Sequence, residues 1–312
     1  MKPFAFVFPG QGAQSVGMLD AWGDHPAVRE VLAESAQALG EDIGRLIHEG
    51  PTQALELTTN TQPVMLAAAI ACYRAWRADG GAEPAALAGH SLGEYTALVA
   101  AGALTLSDAL PLVRFRAQAM QQAVPVGAGA MAAILGLEPA AVVQGCAQAA
   151  ADTGAVVSAA NFNDPKQTVI SGAKLAVDRA CEILKAAGAK RALALSVSAP
   201  FHCALMRPAA DALHERLASV AISSPRIPVI NNIDVVAASD PAAIRDALVR
   251  QAYGPVRWVE VVQALRARGL THVLECGPGK VLTGMVKRID GEAVTAGVFD
   301  PASLRDAMGL LA

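Results

Sequence analysis

Pro84-Ala-Ala-Leu-Ala-Gly-His-Ser91-Leu-Gly-Glu-Tyr-Thr-Ala-Leu-Val-Ala-Ala-Gly102 runs from a small apolar segment, through a Gly-x-Ser-x-Gly turn, into a stretch of helical composition that stops at a glycine. Such a turn lets a strand reverse sharply into a helix and leaves the serine hydroxyl standing at its tip. Gly89 and Gly93 allow backbone angles and a close approach that a Cβ would block. Ser91 is therefore a candidate nucleophile. An ordinary strand–helix turn that contains serine is the competing reading, so the rest of the chain must supply a base, an oxyanion site and a substrate pocket.

Outward from this elbow, strands alternate with helices. Residues 4–8 form an apolar run closed by a Pro-Gly turn, and helical spacing is expected over residues 25–39, 62–78 and 107–123. Alternation of this kind argues for a mostly parallel sheet covered on both faces. The texture changes in the middle. Strand patterns at 130–135, 155–160, 167–171 and 191–198, with helices at 138–151 and 174–187, follow the order β-α-β-β-α-β of a ferredoxin-like unit. The expectation is a discontinuous catalytic domain of residues 1–126 and 199–312 with a small domain, 127–198, inserted into it. A helix at 203–220 and strands at 227–231 and 271–276 return the chain to the larger unit.

Composition narrows the function classes. The 312 residues carry a formal net charge of −3, so no global basic field points to nucleic acid or to an anionic membrane. The apolar runs fall short of the roughly 20 residues needed to span a bilayer, and the N-terminal stretch lacks the charged and apolar regions of a secretory signal. Five dispersed cysteines with no C-x-x-C pair, and six unclustered histidines, read as a reduced, cytoplasmic protein without a metal site.

A serine nucleophile needs a base within hydrogen-bond reach. His90 adjoins Ser91, but neighbours across a sharp turn point in different directions, which leaves it to orient the turn or line the pocket. His202, in Ser198-Ala-Pro-Phe-His-Cys203, stands beyond a strand end, where sites of α/β sheets assemble, and is the better base. No carboxylate between the two (Glu94, Asp108, Glu138, Asp152, Asp164, Asp178 or Glu182) recommends itself as a third member, and a carbonyl oxygen can orient a histidine instead. Phe8-Pro-Gly-Gln-Gly-Ala-Gln14 lacks the phosphate-loop pattern. It can present the Gln11 N–H toward the elbow, where the Leu92 N–H would complete an oxyanion hole. Arg114 and Arg116, two apart on an apolar helix, diverge by about 200°, so one at most faces a pocket. A buried arginine there would demand an anionic partner, and a substrate carboxylate is the natural one.

Taken together, the motifs resemble those of the malonyl-CoA:acyl carrier protein transacylases of bacterial type II fatty acid synthesis. The matching segments are Phe8-Pro-Gly-Gln-Gly-Ala-Gln14, Thr61-Gln-Pro63, Gly89-His-Ser-Leu-Gly-Glu-Tyr95 and Phe115-Arg-Ala-Gln-Ala-Met-Gln121. They continue with Asn161-Phe-Asn163, Pro200-Phe-His-Cys-Ala-Leu-Met206, Val249-Arg-Gln-Ala-Tyr-Gly-Pro-Val256 and Glu275-Cys-Gly-Pro-Gly-Lys-Val-Leu282. They run in order across nearly the whole chain.

The resemblance implies an α/β-hydrolase-like large domain with a parallel sheet and an inserted ferredoxin-like small domain. It implies Ser91 as the residue that carries malonyl, His202 as its base, and the backbone amides of Gln11 and Leu92 as the oxyanion hole. Arg116 would grip the malonyl carboxylate, and Gln251 would mark the main-chain carbonyl that orients His202, in place of the missing acid. Gln62 and Asn161 would line or support the site, and Phe201 fits a preference for malonyl over methylmalonyl. The implied substrates are malonyl-CoA and acyl carrier protein, with no cofactor and a monomeric enzyme. Lys190-Arg191 and Lys287-Arg288 are candidates to steer an acidic carrier protein. Competing readings are a serine esterase or thioesterase, and the malonyl transferase of a polyketide or malonate decarboxylase system.

Overall fold

The computed structural model describes residues 2–312. Its nine strands are β1 (Phe4–Phe8), β2 (Ala86–Gly89), β3 (Gly129–Leu135), β4 (Val157–Asp164), β5 (Gln167–Ala173), β6 (Arg191–Ala194), β7 (Val229–Ile230), β8 (His272–Cys276) and β9 (Val294–Val298). They form two sheets. One is parallel, in the order β7-β2-β1-β8-β9; the other is antiparallel, in the order β4-β5-β3-β6.

β1 shows why the parallel sheet lies in the middle of its layer stack. All five residues of Phe-Ala-Phe-Val-Phe are buried, and successive side chains leave by opposite faces. Phe4, Phe6 and Phe8 join one hydrophobic core, where Tyr73 and Trp76 of the helix Thr58–Ala78 meet them edge-on. Ala5 and Val7 join a second core on the other face with Trp258, Val261 and Leu265. Small residues on that face let the helix Trp258–Ala267 approach closely.

The antiparallel sheet has the ferredoxin-like order that the middle of the sequence predicts. Its strands also alternate: Ala132 and Ile134 pack under the helices Pro139–Thr153 and Lys174–Ala186, while Met131 and Ala133 turn to the opposite face with Val169 and Phe201. Asn161 of β4 forms a parallel bridge with Val256, and the Arg288 guanidinium meets the buried Asp164 carboxylate at 2.6 Å. These contacts join the small sheet to the larger body.

Some element limits differ from the sequence reading. The helix expected to begin at residue 62 starts a turn earlier, at Thr58, and holds Pro63 inside its second turn. β6 ends at Ala194 and not at 198, because after one more bond, from the Leu195 N–H to the Met131 carbonyl, the chain leaves the β3 edge to pass along a cleft. The helix expected from 203 begins at Arg207 after a short 3-10 turn, Ala204–Met206. Among the described residues no helix is long and apolar enough to cross a membrane.

Candidate active site

The C-terminal ends of β1, β2 and β7 converge, and each delivers a loop to one place. β2 delivers the elbow. A Cβ on Gly89 would sit 1.9 Å from the Gly93 carbonyl carbon, and one on Gly93 would sit 2.1 Å from the Phe8 carbonyl oxygen. Only glycine lets the helix Gly93–Ala100 start this close to β1. Ser91 then takes a φ of 52°, a left-handed conformation uncommon for a residue with a side chain.

β7 delivers Asn232, which braces that conformation. Its Oδ1 accepts the Ser91 N–H at 2.7 Å and its Nδ2 donates to the Gly89 carbonyl at 2.8 Å. β1 delivers Gln11, whose side chain donates to Thr58 Oγ1 at 3.2 Å. Among the described residues, the main-chain N–H groups of Gln11 and Leu92 make no hydrogen bond to another backbone group.

His202 follows Phe201 in a turn and also has a left-handed backbone, with φ 60°. It lies beyond β6 by a longer stretch than the sequence reading placed it. Its Nε2 is 2.7 Å from Ser91 Oγ, and its Nδ1 donates to the Gln251 carbonyl oxygen at 2.9 Å. That carbonyl is free because Gln251 lies in the last turn of the helix Pro241–Tyr253, and its i+4 residue is Pro255, which has no N–H to give. Burial, and secondarily the nearby Arg116 charge, push the His202 pKa down to about 3. A neutral ring with its proton on Nδ1 presents the Nε2 lone pair to the serine hydroxyl.

Arg116 is 2% exposed and faces the same cleft. Its guanidinium donates to Gln62 Oε1 at 2.8 Å, Gln251 Oε1 at 3.0 Å and Ser91 Oγ at 3.3 Å, and lies over the Tyr95 ring. Each of these hydrogen-bond partners is neutral, and Arg116 Nε is buried without any partner. Burial pulls its pKa down from the ordinary arginine value. Arg114 turns away and pairs with Glu41, as the divergence of the two side chains requires.

A cleft of about 570 Å³ joins these groups. Leu195, Ser196, Val197, Met131 and Asn161 form the wall contributed by the small sheet; Gln11, Gln62, Ser91, Leu92, Arg116, Phe201 and His202 form the other. Gln251 supports Arg116 and His202 from behind. His90 donates from Nε2 to Asn163 Oδ1 at 2.8 Å, with its pKa lowered by burial, and it lines the cleft as expected.

Sequence reasoning passed over two residues. Asn232 directly follows a predicted strand end, and that position was its signal. Glu94 stands among the acids that did not recommend themselves as partners of His202, and in the structure it reaches His202 only through Gln251. Of the basic doublets, Lys190 and Arg191 are exposed at the start of β6. Lys287 is bound to the Ala293 carbonyl and Arg288 to Asp164.

The arrangement suits acyl transfer: a hydroxyl with a neutral base, two unengaged amides, and a buried guanidinium beside the nucleophile. Residues 5–295 match the model of the acyl transferase domain. The chain is 52% identical, over 309 residues and 99% of both sequences, to the malonyl CoA-acyl carrier protein transacylase of Salmonella typhimurium. Among solved structures it is similar to an acyl-carrier-protein S-malonyltransferase from Burkholderia pseudomallei, at 65% identity and TM-score 0.97, covering 99% of this chain and 100% of that one. It is also similar, at 48% identity and TM-score 0.97 with coverages of 99% and 100%, to a malonyl-transacylase in complex with its type II PKS acyl-carrier protein.

Proposed function

The chain belongs to the malonyl CoA-acyl carrier protein transacylase family, built on the acyl transferase domain, and from that premise we propose that it moves malonyl from malonyl-CoA to the phosphopantetheine thiol of acyl carrier protein through a malonyl ester on Ser91. The observation that carries this reading is the buried Arg116 guanidinium 3.3 Å from Ser91 Oγ. A nucleophile beside a desolvated cation selects an acyl group that bears its own carboxylate, because the planar fork of arginine matches that group and every hydrogen-bond partner of Arg116 within the protein is neutral.

Acylation starts with Ser91 Oγ attacking the thioester carbonyl as its proton passes to His202 Nε2. The oxyanion lies between the amides of Gln11 and Leu92. Collapse breaks the C–S bond, and the coenzyme A thiolate takes the proton back from His202. In the second half the carrier thiol gives its proton to His202, attacks the ester carbonyl, and Ser91 leaves with that proton. A carboxylate seated on Arg116 offsets the charge that depresses His202, so the right substrate also strengthens the base.

The orientation of His202 by a carbonyl favours transfer over the hydrolase reading, because no carboxylate stands behind the imidazole to drive water. All these groups come from one chain, so a monomer suffices for the chemistry, and the free cysteines fit the reducing cytoplasm. A polyketide carrier is the second reading, favoured by the likeness to the complex with a type II PKS acyl-carrier protein. The deciding assay offers malonyl-, methylmalonyl- and acetyl-CoA with purified fatty acid and polyketide carrier proteins, and counts free acid as well as acylated carrier. Malonyl transfer should dominate and Arg116→Ala should abolish the preference; a preference unchanged by that substitution, or free malonate as the main product, overturns the reading.

A further inference from the structure

Behind the nucleophile, Glu94 is a buried carboxyl that the mechanism leaves unused. It is 2% exposed and stands on the second residue of the helix Gly93–Ala100. One of its oxygens, Oε2, accepts two hydrogen bonds: from Gln251 Nε2 at 2.9 Å and from the Asn232 N–H at 2.8 Å. Gln251, fully buried, also donates from Nε2 to the Ser91 carbonyl at 3.0 Å, while its Oε1 accepts from Arg116.

We infer that Glu94 is a positioning residue for substrate selection: it fixes the Gln251 carboxamide with its oxygen toward Arg116, and so aims the guanidinium fork at the acyl carboxylate. The inference rests on Arg116 taking the malonyl carboxylate as proposed above. A carboxamide can be seated two ways round. In the observed one, both Nε2 protons meet acceptors and Oε1 meets a cation. Turned over, the amide N–H groups would face the guanidinium and the carbonyl would face the Glu94 carboxylate, and both contacts repel.

The spacing has a second effect. Glu94 is near enough for its charge to favour protonated Arg116, yet the direct partners of Arg116 are neutral. An acid in direct contact would occupy the fork with an internal ion pair and compete with the substrate. With Gln251 between them, the fork is aimed and left open.

The test compares Glu94→Leu, Glu94→Gln and Arg116→Ala in transfer to carrier protein from malonyl-CoA and from acetyl-CoA, which has no carboxylate to grip. Glu94→Leu should lower the malonyl-to-acetyl ratio of kcat/KM about tenfold or more, the effect of losing a charge-assisted hydrogen bond, chiefly through KM for malonyl-CoA. Glu94→Gln, whose amide oxygen can accept both bonds, should hold the ratio within about threefold of the parent. Should the leucine variant be insoluble, Glu94→Asp, one methylene short of Gln251, carries the same test with the same direction. If the Leu or Asp variant slows both acyl groups equally while Arg116→Ala lowers the ratio, Glu94 is structural only and the inference is wrong. If Arg116→Ala leaves the ratio unchanged, the carboxylate clamp itself falls, and the inference with it.

Discussion

Asn232 holds Ser91 in its left-handed backbone: its side-chain oxygen accepts the Ser91 N–H at 2.7 Å while its amide nitrogen ties back to the Gly89 carbonyl. One fully buried side chain thus spans the turn that a positive φ would otherwise strain open. Asn232→Ala should cost about 2–4 kcal/mol of stability, since it leaves buried donors and acceptors unpaired. It should also slow acylation of Ser91 more than it weakens malonyl-CoA binding. Urea melts and single-turnover acylation measure the two; an effect on binding alone would show that Asn232 does not hold the elbow.

The pH profile tests the state of the base. With the His202 pKa pushed down to about 3, the ring stays neutral over the range in which an ordinary imidazole gains a proton. The profile of kcat/KM, which reports groups of the free enzyme, should therefore show no His202 inflection between pH 8 and about 5. Running it in Glu94→Gln removes the buried carboxyl that stands behind Gln251. An acid limb centred near the ordinary histidine value in that variant would mean that water reaches the imidazole and that burial does not control it.

Glu94 predicts a pH-dependent stability of definite sign. Burial raises its carboxyl pKa from 4.5 to about 7. Between those values the native state keeps a proton that the unfolded chain has released, so stability falls as pH rises through the window. Glu94→Gln should then be more stable than the parent at pH 8, by on the order of 2 kcal/mol or a few degrees in Tm, with the gain vanishing at pH 4.5 and below. Equal Tm shifts at both pH values would contradict it.

Carrier docking is best probed at Lys190 and Arg191, which are exposed. Reversing both charges should raise the apparent KM for carrier protein several-fold and steepen nothing in the hydrolysis of malonyl-CoA. Equal effects on both would remove the steering role. Arg288 is a poorer probe, because its reversal would strand the buried Asp164 carboxylate.

The parts of the fold visible in the sequence are those written locally. The Phe4–Phe8 run, the two glycines around Ser91 and the order of elements in the small sheet each follow from short-range pattern. So does the divergence of Arg114 from Arg116, a matter of helical period. Asn232 and the two-sided role of Gln251 were harder, because their meaning lies in partners about 140 to 160 positions away. Period and propensity say nothing about which buried amide will meet which carbonyl. The early end of β6 was hidden for a similar reason: residues 195–198 have strand-like composition, but after the Leu195 N–H bond to Met131 the chain lines the cleft instead of extending the sheet.

The two walls of the cleft are backed by different hydrophobic cores, which meet where Met131 and Ala133 pack against Phe201. Ser91, His202, Arg116 and Gln251 all sit on one of them, whereas Met131, Asn161 and residues 195–197 sit on the other. Width and chemistry are therefore inherited separately. Substitutions on the small sheet can reshape the space offered to an acyl chain while the nucleophile, its base and their hydrogen bonds keep their geometry, so redesign for bulkier acyl groups should begin on that wall.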